Sequence, residues 1–128
     1  MHSLHKILIV DDDSVTRYLI SRVIKQAGIS QQILQAGNGE EALQVLYQAC
    51  SVQACPNLIF LDINMPLMDG FEFLSALQKS TLADSSFKIV ILTTSQNPKD
   101  VEKAKQYPIT AYLEKPFTAD QLNRIIAA

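Results

Sequence analysis

Ile7-Leu8-Ile9-Val10-Asp11-Asp12-Asp13 is an unbroken apolar run that ends in three carboxylates. A short run that is apolar on both faces suits a strand covered on both sides, as in a parallel sheet closed by helices. The pattern recurs downstream. Leu58-Ile59-Phe60-Leu61 ends at Asp62, Ile89-Val90-Ile91-Leu92 ends at Thr93-Thr94, and Tyr112-Leu113 is followed closely by Lys115-Pro116. Polar groups that finish separate parallel strands meet at one edge of the sheet, and that edge is where ligands bind.

Working outward, strands are expected near Lys6–Val10, Gln32–Ala36, Leu58–Leu61, Lys88–Leu92 and Ala111–Leu113, alternating with amphipathic helical patterns. Such alternation is the βαβ signature of an α/β fold. The strand carrying Gln32 and Gln35 is the more polar one and is expected at an edge. Helix starts carry capping chemistry: Asn38 before Glu41, Asp69 before Glu72, Thr118 before Gln121, and Asn97 before Pro98. The first helix follows Ser14, with Val15, Leu19, Ile20, Val23, Ile24 and Ala27 as its apolar stripe and Gly28 as its stop. Leu122, Ile125 and Ile126 repeat that logic in the fifth helix.

The 128 residues fit one compact unit, read as a single domain over 1–128 with no output domain attached. With 11 basic and 13 acidic residues, the chain has no charge excess that would grip nucleic acid or an anionic membrane directly. No apolar run approaches the roughly 18 residues needed to span a bilayer, so a cytoplasmic protein without membrane insertion is expected. Cys50 and Cys55 match no zinc spacing, and His2 and His5 are far off in sequence. Two reduced thiols are the expectation for a cytosolic chain, with a surface redox role as the other reading.

The acids carry the chemistry. Two carboxylates about 4 Å apart repel by roughly 4 kcal/mol at an effective dielectric of 20, so a cluster of them calls for a cation. Hard carboxylate oxygens favour Mg²⁺, which takes few protein ligands and is completed by phosphate oxygens and water. An isolated Asp triplet would more often do no more than cap the first helix. Asp62 at the end of another central strand tips the reading toward a metal. A strand-end carboxylate beside a metal can attack phosphorus and form an aspartyl phosphate. Asn64, two residues on, can offer its backbone carbonyl to the same ion. Thr93 offers a hydroxyl, and Lys115, held by the following proline, offers a compact positive charge for a phosphate oxygen.

These four motifs, in this order, resemble the receiver domains of two-component response regulators, in the CheY-like single-domain form. The resemblance covers essentially the whole chain. It implies a flavodoxin-like doubly wound fold, five parallel strands in the order 2-1-3-4-5 with five helices. It implies Asp62 as phosphoacceptor, Asp12 as direct metal ligand, Asp11 acting through a water on the metal, and the Asn64 carbonyl as the third protein ligand to Mg²⁺. Thr93 and Lys115 look like the phosphate-sensing pair. Tyr112 looks like the aromatic switch, turning inward when Thr93 moves toward the phosphoryl group. Asn64 and Ser95 are placed to tune dephosphorylation, and the Lys115-Pro116 bond is often cis in this family. The triplet Asp11 to Asp13 and the pair Thr93-Thr94 each leave a one-position ambiguity, settled here by distance from the last apolar residue of the strand.

The function implied is a signalling phosphoacceptor rather than an enzyme, with only self-phosphorylation and autodephosphorylation of its own. A histidine kinase, a histidine phosphotransferase or acetyl phosphate would supply the phosphoryl group. The downstream protein would meet the face of the fourth helix, fifth strand and fifth helix, near Lys99 to Gln106, Tyr112 and Asp120 to Arg124. A phosphorelay intermediate or phosphate sink uses the same site and is the alternative. A Mg²⁺-dependent phosphohydrolase is the remote one, since such enzymes typically carry Asp where this chain has Asn64.

Overall fold

A computed structural model describes residues 5–28, 30–82, 87–95 and 97–127. Ten elements alternate along the chain: β1 (His5–Val10), α1 (Ser14–Gln26), β2 (Ser30–Ala36), α2 (Gly39–Ser51), β3 (Leu58–Leu61), α3 (Gly70–Gln78), β4 (Lys88–Thr93), α4 (Pro98–Ala104), β5 (Ala111–Glu114) and α5 (Ala119–Ala127). All pairings are parallel, and the sheet runs in the order β2-β1-β3-β4-β5, which puts the polar β2 at an edge as expected.

The strand residues divide alternately between two apolar layers, which is why the central runs are apolar throughout. Leu8, Val10, Ile59, Leu61, Ile89 and Ile91 face a layer completed by Ala42 and Leu46 of α2, Phe73 and Leu74 of α3, and Ala104 of α4. Ile7, Ile9, Leu58, Phe60, Val90 and Leu92 face the other, completed by Ile20 and Ile24 of α1 and Leu122 of α5. The side chains of His5 and Ile126 lie outside the described residues, as does His2.

Every expected cap is in place. Asn38 accepts from Glu41 N at 2.9 Å, Asp69 and Glu72 form a reciprocal capping box, and Thr118 and Gln121 exchange bonds of 2.9 and 3.2 Å. Asn97 accepts from Lys99 N at 3.0 Å, with Pro98 opening α4. The α1 stripe is narrower than expected, because Val15 and Leu19 are 62% and 52% exposed. They form an i, i+4 row beside the Ile20–Ile24 row, and it is the second row that rests on the sheet.

The expectation of free thiols is corrected. Cys50 and Cys55 are joined as a disulfide. After α2 ends, Gln53 takes a left-handed φ of 58° and Ala54 N returns to Ala49 O at 2.8 Å. That reversal brings the two cysteine Cα atoms to 4.3 Å, a proximity that spacing alone does not reveal.

Candidate functional site

The parallel ladder carries on past the strand ends and fixes the backbone of both buried acids. Asp11 N donates to Ala36 O at 3.1 Å, and Asp62 N to Val10 O at 2.9 Å. Asp11 is buried and Asp62 nearly so, while Asp12 is exposed at the mouth. One carboxylate oxygen from each of Asp11, Asp12 and Asp62 lies within 4.8 Å of the others. Three hard oxygens so close together are the donor set that Mg²⁺ accepts. Asp13 does not join them. It caps α1, accepting from Thr16 Oγ1 at 2.8 Å and Val15 N at 3.1 Å, and these bonds hold its carboxyl below the ordinary carboxylate value.

Lys115 arrives from the far side of the sheet. Its backbone N donates to Thr93 O at 2.8 Å, extending the β4-β5 ladder. Its Nζ pairs with Asp11 Oδ2 and stands 3.5 Å from Asp62 Oδ2. The Lys115-Pro116 bond is cis. Burial pushes the Asp62 carboxyl above its ordinary value; the neighbouring Asp11 adds to this, against the pull of Lys115 and of Asn64 N, which donates to Asp62 Oδ1 at 3.3 Å. Asp62 is therefore a largely buried carboxylate held beside a cation, with its proton affinity raised.

Asn64 is exposed and lines a cleft of about 290 Å³ with Asp12, Ile63, Pro66 and Asp69. Thr93 is fully buried, and its Oγ1 accepts from Ser95 N at 3.1 Å. Thr94 is exposed instead and lines an apolar groove with Leu19, Val23, Lys115 and Phe117. Of that pair, then, Thr93 is the residue turned into the protein. The Tyr112 ring is half-buried against the α2-α3-α4 layer, and its hydroxyl donates to Ser95 O at 3.3 Å. Burial raises the phenol above its ordinary value, the Ser95 side chain opposes this, and the charge of Asp100 adds to the rise.

Three supporting residues escape a reading of the sequence. Arg17 donates from Nη1 to Asp11 O at 2.6 Å and from Nε to Gln35 Oε1 at 3.0 Å, locking the turn that presents Asp11. A Cβ on Gly70 would stand 2.5 Å from Asp62 O and 2.8 Å from Ile63 Cα, so only glycine lets α3 start against the Asp62 backbone. Gly39 likewise admits Met68, and its N donates to Met68 O at 3.0 Å, tying α2 to the loop after Asp62. Asp69 before Glu72 signalled a cap in the sequence. The close packing of backbones behind it left no mark there.

Comparison with known proteins adds an independent line. Residues 7–127 match the family model of the response regulator receiver domain. The chain is 33% identical to a probable chemotaxis protein CheY from Rhizobium etli, over 96% of this chain and 90% of that protein. It is 31% identical to sporulation initiation phosphotransferase F from Bacillus subtilis, over 91% and 86%. Its fold superposes with a TM-score of 0.90 on a two component response regulator from Cytophaga hutchinsonii, at 25% identity over 98% and 96% of the two chains. Chemotaxis protein CheY4 of Vibrio cholerae gives 0.77 at 30% identity, over 98% of each chain.

Proposed function

The chain belongs to the response regulator receiver domain family, a signalling family of phosphoacceptors, and on that footing we propose that Asp62 is the carboxylate that takes the phosphoryl group. One observation carries the assignment: Asp62 ends a central strand in contact with Lys115 and shares an oxygen cluster with Asp11 and Asp12. A carboxylate oxygen of Asp62 forms the new O–P bond. The P–N bond of a phosphohistidine, or the P–O bond of acetyl phosphate, breaks, and its electron pair leaves with the donor. Asp11, Asp12, Asp62 and the Asn64 carbonyl would hold Mg²⁺, which when bound would supply countercharge to the phosphoryl oxygens.

The protein's own groups do the rest. Lys115 Nζ, already between Asp11 and Asp62, transfers its contact to a phosphoryl oxygen. The Thr93 hydroxyl turns to another, and the space this frees further favours the inward arrangement that Tyr112 already takes against Ser95 O, biasing the face of α4, β5 and α5 that a downstream protein reads. Water attack on the phosphorus releases inorganic phosphate and restores Asp62, with Asn64 at the mouth of the cleft and Ser95 beside Thr93 tuning the rate. The donor is a histidine kinase or histidine phosphotransferase, and the exposed Leu19 beside Lys115 gives it an apolar foothold. No helix among the described residues is long and apolar enough to cross a membrane. Similarity to a sporulation phosphotransferase favours relay as the second reading; rapid donation from phosphorylated protein to a phosphotransfer domain, without effector binding, would select it.

Intact-protein mass after incubation with acetyl phosphate and Mg²⁺ tests the assignment. One added phosphoryl group is expected, absent from Asp62→Asn and absent with EDTA. A group that persists in Asp62→Asn would overturn it.

A further inference from the structure

Asp100 is the charged residue nearest the switch that the mechanism above leaves idle. It sits in the first turn of α4, where a carboxylate is favoured by the helix dipole alone. That role would not require the contact it makes. Its Oδ2 accepts the Ser95 hydroxyl at 2.5 Å, a hydrogen bond of the short, charge-assisted class. Among the described residues no cation is within ion-pair distance of it. The carboxylate is half-buried and committed to Ser95.

Ser95 is in turn the junction of the switch. Its N donates to Thr93 Oγ1 at 3.1 Å, its carbonyl accepts the Tyr112 hydroxyl at 3.3 Å, and its Oγ also accepts from Asn97 N at 3.3 Å. One residue thus touches the end of β4, the aromatic ring on β5 and the start of α4. A carbonyl on an untethered loop is a poor acceptor, because holding it in line costs conformational entropy each time. Tethering the Ser95 side chain to α4 removes that cost and keeps the carbonyl aimed at the tyrosine. The tyrosine is found inward, with the tether made.

We infer that Asp100 is a positioning residue of the switch, acting through the Ser95 hydroxyl to aim the Ser95 carbonyl at Tyr112 and so favour the inward arrangement. The inference rests on the reading of Asp62 and Thr93 given above, because it is the phosphoryl group that would profit. If phosphorylation and inward Tyr112 favour each other, the linkage is reciprocal: loosening the tether weakens the hold on a phosphoryl analogue.

The test labels the protein with 3-fluorotyrosine, assigns the Tyr112 ¹⁹F signal by Tyr112→Phe, and titrates beryllofluoride with Mg²⁺. In Asp100→Ala the Tyr112 signal is expected to move toward the value of a solvent-exposed ring before any ligand is added. Beryllofluoride affinity is expected to fall about fivefold, the lower end of coupling between sites. Asp100→Asn, which keeps an acceptor oxygen, is expected to recover most of both effects. Ser95→Ala is expected to reproduce Asp100→Ala, and the double variant to add nothing, since both remove one tether. It also stands in should Asp100→Ala fail to fold. An unmoved Tyr112 signal in both single variants, or additive losses in the double variant, would overturn the role of Asp100. Failure of the parent protein to bind beryllofluoride would overturn the Asp62 assignment instead, and the unliganded Tyr112 signal would still judge the tether.

Discussion

The two halves of the site edge are built differently. On one side, β1 and β3 are buried along their whole apolar length, and α3 buries five of its nine residues, among them Phe71, Phe73, Leu74 and Leu77. On the other, β5 has no buried residue, and α4 is seven residues long and buries only Ala104 among the described side chains. Asp11 and Asp62 belong to the first half, each fixed by a backbone bond to a neighbouring strand. Thr93 opens the second half, and Ser95 and Tyr112 sit within it. Elements with few buried apolar side chains open at lower free energy than core strands do. On the function proposed above, the contrast separates a rigid seat, where geometry must be held for chemistry, from a pliable readout, where a small push has to be felt.

Substitutions can break or sharpen that contrast. Phe73→Ala on α3 is expected to lower unfolding free energy by about 4 kcal/mol, against about 1 kcal/mol for Val101→Ala on α4, both measured by urea denaturation. Equal losses would erase the difference between the halves. Gly70→Ala drives a Cβ into the Asp62 backbone, so a loss of about 3 kcal/mol is expected together with slower phosphorylation by acetyl phosphate. Opening the short Cys50-Cys55 loop by replacing both with serine is expected to cost about 2 kcal/mol, read as a lower melting temperature under non-reducing conditions. Phosphorylation of that variant should be unchanged, because the disulfide lies at the far end of α2 from the site.

The smallest effect concerns Asp62 itself, and its sign is favourable. Burial raises its carboxyl, so the folded chain holds that proton more tightly than the unfolded one. The stability this gives is present at low pH and is lost as pH rises from the ordinary carboxylate value through the raised one. Asp62→Asn removes the loss. The metal-free variant is expected to melt above the parent at neutral pH, with the advantage shrinking as pH falls, in paired thermal scans.

Much of this was legible in the chain. Apolar runs with polar ends placed β1, β3, β4 and β5 and brought Asp11, Asp62, Thr93 and Lys115 to one edge, because strand direction alone decides where a strand's last residue points. The caps were equally plain, since each needs only a side chain and a backbone N–H two or three positions apart. What the sequence hid depends on approach between separate segments. The Cys50-Cys55 bond needs the reversal at Gln53, the necessity of Gly70 needs α3 pressed on the end of β3, and Arg17 earns its role only when α1 lies across Asp11. Val15 and Leu19 read as core because helical spacing fixes which residues share a row but not which row meets the sheet. The triplet was divided by geometry too: Asp13 turned to its helix and left Asp11 and Asp12 for the pocket.

The measurement that bears most directly on a rigid seat joined to a pliable readout is backbone amide NMR of the protein with Mg²⁺, before and after beryllofluoride. Beyond the residues that touch the ligand, shifts are predicted to concentrate from Thr93 through α4 and around Tyr112, leaving α1, α2 and the body of α3 nearly still. Shifts spread evenly over both halves, or confined to the ligand's own contacts, would contradict it.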